Sequence, residues 1–576
     1  MTKLLKYLKP YAALIFIAIV LLIVQVVSDL SLPNYMSDIV NIGIRQGDIG
    51  YIGRTGLMML LFALLSAACM VLVGLIGARV AAGFSMDLRK EVFTKVENFS
   101  SGEFDRFGAS SLITRTTNDI TQIQMVVFLS IRMLVYAPLL GVGGAVMALK
   151  KSVSMSWMIA VAVIVLVGVI FLLFSAALPK FKLIQKLTDK LNLVTRENLS
   201  GMLVIRAFNT QKFEEKRFDG LNRDITKTNL FVSRTMATLF PAMTLIMNGI
   251  TLLIVWVGGR QIAQSNMQVG DMMAFMQYAL QIISAFIMIS MLFILIPRAS
   301  VSAQRVAEIL DTDLSVKDPE KPEELKKTLK GTVEFKNVHF RYPNAERDAL
   351  SGLSFTALPG QTTAIIGSAG AGKTTLVNLI PRFYDVTDGE VLVDGVDVRK
   401  IKQHDLRGRI GYVPQKSSLF KGTIDSNLKY ADENAAGDEI RKAAEISQSM
   451  EFISAMPEGF ETEIAQGGKN VSGGQKQRLS IARALVKKPE ILIFDDSFSA
   501  LDFKTDSRLR KALKSETGGS TVILIAQRVS SIMAADRIIV LDEGRIVGIG
   551  KHGELMKSCE TYREIALSQL SKEELA

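Results

Sequence analysis

Apolar residues in the first half of the chain run on without alternation. Six runs, approximately Tyr11–Leu32, Gly56–Ala78, Phe128–Leu149, Met155–Leu178, Ala237–Gly259 and Met272–Ile296, are each long enough to cross a bilayer as a helix. The connections Arg79–Val127 and Pro179–Met236 carry helical periodicity with mixed charge and are too long for turns. As helices they prolong the spans into the cytoplasm at about 1.5 Å per residue. Each is interrupted by a short amphipathic piece, Phe104–Phe107 before Gly108 and Arg206–Phe213. These aromatics either cover helix tips or dock on a soluble domain and carry its motion to the spans. Near residue 310 the pattern changes. Residues 310–330 are charged, hold two prolines and read as a linker. From Gly331 short alternating or buried strands interleave with helices, the pattern of an α/β domain. The predicted layout is a membrane domain over 1–309, the linker, and a soluble domain over 331–576.

Charge orients the spans. The short connections after the first, third and fifth runs hold Arg45 and Arg54, then Lys150 and Lys151, then Arg260. The other segments hold Lys3, Lys6 and Lys9, then six basic residues from Arg79 to Arg115, twelve from Lys180 to Arg234, and Arg298 and Arg305. The positive-inside bias puts both termini and the soluble domain in the cytoplasm of a multi-pass plasma-membrane protein. The first run lacks a small-residue cleavage site and is followed by more spans, so it reads as a retained helix. The net charge of +11 has no basic stripe with interleaved aromatics, and nucleic acid is excluded as a partner. Cys69 and Cys559 make no disulfide framework.

One stretch in the soluble half carries unambiguous chemistry. Gly367-Ser368-Ala369-Gly370-Ala371-Gly372-Lys373-Thr374 follows the apolar run Thr363–Ile366 and precedes Thr375–Ile380, giving strand, glycine turn and helix start in the order of a phosphate-binding loop. Backbone N–H groups and the helix N-terminus attract phosphate, Lys373 reaches the outer phosphates, and the Thr374 hydroxyl suits Mg²⁺. ATP with Mg²⁺ is the implied cofactor.

Further motifs follow: Tyr412-Val-Pro-Gln415, Val471-Ser472-Gly473-Gly474-Gln475, Ile491-Leu-Ile-Phe-Asp495 and Ser499-Ala-Leu-Asp502. With the phosphate loop and the six spans, the chain resembles a half-transporter of the ATP-binding cassette (ABC) exporter superfamily over essentially its whole length. The resemblance implies a type IV exporter fold: a six-span α-helical domain, then an α/β P-loop nucleotide-binding domain with a helical subdomain around Ala431–Met456. It also implies that spans four and five, with their connection, cross to the partner's cassette. By the same resemblance Tyr342 stacks on adenine, Gln415 reaches Mg²⁺, Ser472–Gln475 form the signature with Val471 in place of the usual Leu, Asp495 is the Walker B aspartate, and Asp502 belongs to the D-loop. Asp495, ending a strand of the P-loop sheet, would meet Mg²⁺ through water beside Thr374. In this family a phosphate loop and a signature from two head-to-tail domains share one ATP, so a second chain is implied.

Two positions depart from the family pattern. Asp496 stands where a water-activating glutamate is usual, and one methylene less leaves its carboxylate about 1 Å or more short, enough to cost orders of magnitude in rate. Gln527 stands where a switch histidine is usual; the only histidines, His339, His404 and His552, lie elsewhere. An amide can touch phosphate but cannot shuttle a proton. Beside an almost intact signature, these losses resemble the degenerate-site subunit of heterodimeric bacterial multidrug exporters. The partner would then carry the catalytic glutamate and the histidine. A homodimer, a lipid or peptide exporter, and an ABC-like protein in which nucleotide gates without pumping are the alternatives.

The expected cargo is an amphipathic or hydrophobic compound drawn from the membrane lipid. Polar groups inside spans usually face an interior or water, which marks Gln25, Asp29, Arg132, Asn248, Gln277 and Gln281 as cavity residues. Asp29 and Arg132 lie near span ends, where snorkelling to the interface is the other reading. Met288 belongs to a methionine-rich group in spans five and six that suits varied apolar shapes or ordinary packing.

Overall fold

The structure, a computed structural model, describes residues 2–325, 330–343, 345–499 and 501–569. Part of the expected linker and Ala500 of the D-loop fall outside the described residues, as do the side chains of Lys3 and Arg298. The chain divides into two units, residues 1–95 with 110–311, and residues 96–109 with 312–576.

The first unit is helical. Its elements are α1 (Ala12–Asp38), α2 (Ile49–Glu97), α4 (Ala109–Thr114), α5 (Ile120–Lys151), α6 (Ser156–Ser200), α7 (Met202–Ala207), α8 (Gln211–Ala237), α9 (Leu239–Ala263) and α10 (Val269–Asp311); α3 (Ser101–Phe107) belongs to the second unit. Among the described residues, six helical stretches are long and apolar enough to cross a membrane: Leu4–Ile44, Ile49–Glu97, Ala109–Lys151, Ser156–Ser200, Gln211–Ala263 and Val269–Asp311. Each overlaps one of the six expected runs; the fourth starts one residue later than expected, at Ser156. Their outward residues, such as Phe16, Trp157 and Phe171, are apolar and exposed on the chain, as lipid-facing surfaces are. Close packing uses glycine. A Cβ on Gly143 would crowd the Leu30 side chain, and one on Gly144 would meet Ile282 Cγ1 at 2.9 Å, so glycine lets α5 sit close against α1 and α10 without moving those side chains.

The two interruptions differ. The first is the helix α3, started by a reciprocal cap in which Ser100 Oγ accepts from the Gly102 N–H at 3.1 Å and Glu103 Oε2 accepts from the Ser100 N–H at 2.7 Å, and stopped by Gly108 at φ +73. It is docked on its own unit: Glu103 Oε1 accepts from the Ser315 N–H at 2.9 Å and the Tyr384 hydroxyl donates to Asp105 at 2.9 Å. The second expectation needs correction. The helical piece is α7, ending at Ala207; residues 208–210 form a turn with Asn209 at φ +55, and Phe213 already lies on α8. Asn tolerates the left-handed conformation that reverses the chain there. Phe208 and Phe213 are exposed.

The second unit contains β1 (Val333–Phe340), β2 (Leu350–Ala357), β3 (Thr362–Gly367), α11 (Lys373–Leu379), β4 (Asp388–Val393), β5 (Val396–Asp397), α12 (Gln403–Gly408), β6 (Ile410–Val413), β7 (Gly422–Thr423), α13 (Ile424–Lys429), α14 (Gly437–Ile446), α15 (Met450–Ala455), β8 (Glu463–Ile464), α16 (Gly473–Val486), β9 (Ile491–Asp495), α17 (Phe503–Glu516), β10 (Thr521–Ile525), β11 (Arg537–Asp542), β12 (Arg545–Gly550), α18 (His552–Ser558) and α19 (Glu560–Gln569). A six-stranded sheet has the order β12-β11-β3-β10-β9-β6, parallel except for β12. A four-stranded sheet, β2-β1-β4-β5, is antiparallel. One core contains residues of the smaller sheet, α11 and one set of the larger sheet's side chains, including Phe335, Leu376 and Ile493. The other contains the alternate set with α13–α17, including Leu428, Leu479, Phe494 and Leu509. Strands buried on both faces read as continuous apolar runs for this reason. Register fixes the site: Ile525 pairs with both Ile365 and Asp495, which brings the carboxyl ends of β3, β10 and β9 level. The chain leaving those ends holds the phosphate loop, Gln527 and Asp496.

Candidate nucleotide site

The loop between β3 and α11 needs its glycines for two reasons. A Cβ on Gly367 would lie 2.0 Å from the Leu541 carbonyl of β11, so the sheet's own packing excludes a side chain. Gly370 and Gly372 have φ of +83 and +92, conformations open mainly to glycine. Gly372 caps α11 without a side-chain cap bond, so the first-turn N–H groups, which have no intrahelical acceptors, could meet an anion such as phosphate. Lys373 curls back over the loop, its ammonium donating to the Gly367 carbonyl at 2.8 Å and the Ser368 carbonyl at 2.7 Å. Burial pushes its pKa down, only partly opposed by Asp496 and Asp495. A phosphate would supply the charge partner that these carbonyls cannot. Ala369 and Ala371 complete the loop, Ala371 fully packed.

Thr374 and Asp495 are brought together: the Thr374 hydroxyl donates to Asp495 Oδ1 at 3.0 Å. The Tyr412 hydroxyl lies 3.5 Å from Asp495 Oδ2 and 2.9 Å from Asn378 Oδ1. Asp495 is 2% exposed, and burial raises its pKa; Thr374 lowers it and the neighbouring Asp496 raises it further. A buried carboxylate beside a hydroxyl, with a second carboxylate adjacent, is a hard-oxygen set that fits Mg²⁺. Neither Asn378 nor the role of Tyr412 was anticipated from sequence. Asn378 lies four residues after Thr374 on α11, so helical spacing alone would have placed it on the same face.

Asp496 follows β9 at φ +48, a turn Asp tolerates. Its Oδ2 accepts from Gln527 Nε2 at 2.8 Å and from Gln415 Nε2 at 3.4 Å. The carboxyl is 7% exposed, and its pKa is raised, with burial the main cause; Gln415, Lys373, Arg528 and Gln527 lower it in part. Both departing residues and the glutamine of the Tyr412–Gln415 loop thus meet at one oxygen.

Tyr342 is half-buried, its hydroxyl 2.8 Å from Thr375 Oγ1 and its ring edge-on to Phe340 and Tyr384 with centroids at 4.8 and 5.5 Å. Among the described residues, no hydrogen bond joins the signature residues to the loop. Ser472 caps α16 in a reciprocal box, Gln475 N–H to Ser472 Oγ at 3.2 Å and Ser472 N–H to Gln475 Oε1 at 2.9 Å, with Ser472 and Gly473 exposed. Asp502 is used as a helix cap, Oδ1 accepting from the Thr505 N–H at 2.9 Å, and its pKa is lowered by those bonds.

In the first unit the cavity residues separate. Gln25 is buried, Arg132 and Gln281 are half-buried, Asn248 and Gln277 are exposed on the chain, and Met288 packs against the apolar core. Asp29 does not snorkel. Its carboxylate accepts from the Ser66 hydroxyl at 2.5 Å and the Tyr136 hydroxyl at 2.7 Å, on α2 and α5, because a charge facing a helix bundle is stabilised by donors there.

Six membrane-length helices fused to a phosphate-loop α/β domain with a capped signature helix define a membrane transport ATPase. Residues 15–286 match the family model described as the ABC transporter transmembrane region, and residues 350–499 the model described as ABC transporter. An uncharacterized ABC transporter ATP-binding protein of Mycobacterium tuberculosis is 40% identical over 98% of this chain and 97% of its own length. The uncharacterized ABC transporter ATP-binding protein YfiB of Bacillus subtilis is 38% identical over 100% of this chain and 99% of its own. An ATP-dependent lipid A-core flippase of Pseudomonas aeruginosa is 33% identical over 85% of this chain and 80% of its own. The solved structure of a bacterial Atm1-family ABC exporter with ATP bound superposes with a TM-score of 0.80 at 26% identity, covering 97% of this chain and 99% of that one. The chain belongs to the ABC transporter family: it is a multi-pass exporter half-transporter, and its second domain is an ATP-binding transporter ATPase.

Proposed function

We propose that this chain is one half of a heterodimeric exporter that moves amphipathic or hydrophobic small molecules across the plasma membrane, with its termini and cassette cytoplasmic. The domains are 1–309, a linker at 310–330, and 331–576. In a head-to-tail pair, Lys373 and the loop hold the phosphates of this chain's own ATP, Thr374, Asp495 and Gln415 hold Mg²⁺, and Tyr342 stacks on the base. Mg²⁺ supplies charge neutralisation at the phosphates. The signature Ser472–Gln475, with Asp502 near it, serves ATP held by the partner.

One observation carries the asymmetry. The carboxylate in the water-activating position is the short Asp496, and its Oδ2 is occupied by the amides of Gln527 at 2.8 Å and Gln415 at 3.4 Å. A glutamate would reach further toward the attacking water, and a histidine at 527 would bring a titratable nitrogen. With neither, this site binds ATP and hydrolyses it slowly, while the capped signature helix keeps its anion-facing N-terminus for the partner's site. Co-purification from native membranes, followed by ATPase assay with and without the co-purifying half-transporter, tests the reading. Poor hydrolysis by the chain alone and robust hydrolysis by the pair is expected; robust, drug-stimulated hydrolysis by the chain alone would leave a homodimer. A lipid cargo is the second reading, favoured by the similarity to a lipid A-core flippase.

A further inference from the structure

Four of the membrane-length helices meet around Asp29, two of them at its carboxylate and one at the backbone carbonyls of Asp29 and Leu30. Asp29 on α1 accepts from Ser66 of α2 at Oδ1 and from Tyr136 of α5 at Oδ2, at 2.5 and 2.7 Å. From α10, Gln281 Nε2 donates to the Asp29 backbone carbonyl at 3.2 Å and the Tyr278 hydroxyl to the Leu30 carbonyl at 2.9 Å. Each carboxylate oxygen can accept about two hydrogen bonds and receives one here, so it keeps acceptor capacity. Two buried side-chain atoms beside it have no partner, Oε1 of Gln281 and Oε1 of Gln25, and Gln25 is 4% exposed one turn before Asp29 on the same face of α1. Both are amide oxygens, hence acceptors.

No cation among the described residues is in contact with the carboxylate either, although the charge of Arg132 is near enough to act on Tyr136. Among the described residues no Lys or Arg forms an ion pair with Asp29; Arg132, one turn before Tyr136 on α5, does not reach it within 4.0 Å. Intramembrane carboxylates are normally paired or assigned to a ligand pathway. A group that fits has N–H donors for the open oxygens and a positive charge for the carboxylate. Water brings the donors without the charge, and a quaternary ammonium the charge without the donors.

We propose that Asp29, Gln25 and Gln281 form a recognition site for a protonated amine, carried on a free amphipathic amine or on a lipid headgroup. The proposal rests on the exporter reading for its role in transport, but not for binding. Its test is equilibrium binding to the full-length chain in nanodiscs, with empty discs subtracted, using 1-aminoadamantane against 1-hydroxyadamantane, the same cage with a neutral hydroxyl. The amine is expected to bind about tenfold more tightly than the alcohol, the gap expected of one charge-assisted hydrogen-bonded contact. Asp29→Asn, which keeps size and accepting oxygen, is expected to erase that gap and leave the alcohol unchanged. Gln25→Leu and Gln281→Leu are expected to narrow it about threefold each, with thermal melts confirming that the variants fold. Weaker amine binding in phosphatidylethanolamine discs than in phosphatidylcholine discs assigns the amine to a lipid headgroup; equal binding assigns it to a free compound. Equal affinity for amine and alcohol in the unmutated chain, or an equal loss of both in Asp29→Asn, overturns the proposal and leaves Asp29 as helix packing. Because no nucleotide enters the assay, failure of ATP-driven transport would refute the exporter reading without touching this result.

Discussion

The phosphate-loop edge and the signature helix lie in one domain yet are finished to different standards. At the signature, each polar group of the cap has its reciprocal partner, Ser472 with Gln475, and Ser472 and Gly473 are exposed. At the loop edge Lys373 bonds the loop carbonyls and Thr374 bonds Asp495, while Asp496, in the proposed water-activating position, is a short carboxylate bonded to two amides. Binding and hydrolysis are separable functions of one site, because holding phosphate needs fixed donors and charge, whereas activating water needs a base at the right distance.

The largest expected effect attacks the well-finished side. On the proposed heterodimer reading, Ser472→Ala in the assembled pair should lower steady-state turnover about 10²–10³-fold, as loss of one donor to transition-state charge does, although it lies in the chain proposed to hold the slow site. ATPase assays of the mutant pair check this. Lys373→Ala should weaken ATP binding at this chain's own site about 10–100-fold, the scale of a lost charge-assisted bond, read by direct nucleotide binding. Its effect on turnover should be smaller than that of the equivalent change in the partner.

Repair of the other side is a gain experiment. Asp496→Glu alone should restore little, and Asp496→Glu with Gln527→His should raise turnover at this site about tenfold or more, provided the partner's signature is intact. Site-resolved single-turnover rates would show it.

The smallest effect concerns stability. Asp495 and Asp496 both have raised pKa values, mainly from burial, and Asp496 adds to the shift at Asp495. A raised folded pKa stabilises fully below the unfolded value, about 3.9 for Asp, and that stability is lost as pH rises through the folded value. At neutral pH the nucleotide-free pair therefore carries a cost. Asp495→Asn should raise the melting temperature of the nucleotide domain by about 2–4 °C at pH 7, corresponding to about 1 kcal/mol, and by less at acid pH. It should also abolish the further stabilisation by ATP with Mg²⁺.

The two regions were unequally legible in the sequence. The loop Gly367–Thr374 and the signature Ser472–Gln475 are consecutive residues whose spacing encodes their local geometry. The meeting of Gln415, Asp496 and Gln527 spans more than a hundred residues and depends on β10 lying between β3 and β9, which no local pattern states. The same holds for Asp29: the sequence marks it as a cavity candidate with snorkelling as the alternative, and only the packing of α2 and α5 reveals Ser66 and Tyr136 as its donors. Arg206–Phe213 was misread because its aromatics resembled one amphipathic piece, whereas Asn209 at φ +55 divides it between a turn and the next helix.

The most direct measurement of the asymmetry is the fate of the two bound nucleotides in a single turnover. The purified pair is loaded with radiolabelled ATP, Mg²⁺ is added, and ATP and ADP retained on the complex are counted over time, with crosslinking to assign each to its chain. One nucleotide should convert quickly, held by the partner's loop and this chain's Ser472–Gln475, while that held by Lys373 and Thr374 remains ATP through many cycles of the other. Equal conversion of both at one rate would contradict the account.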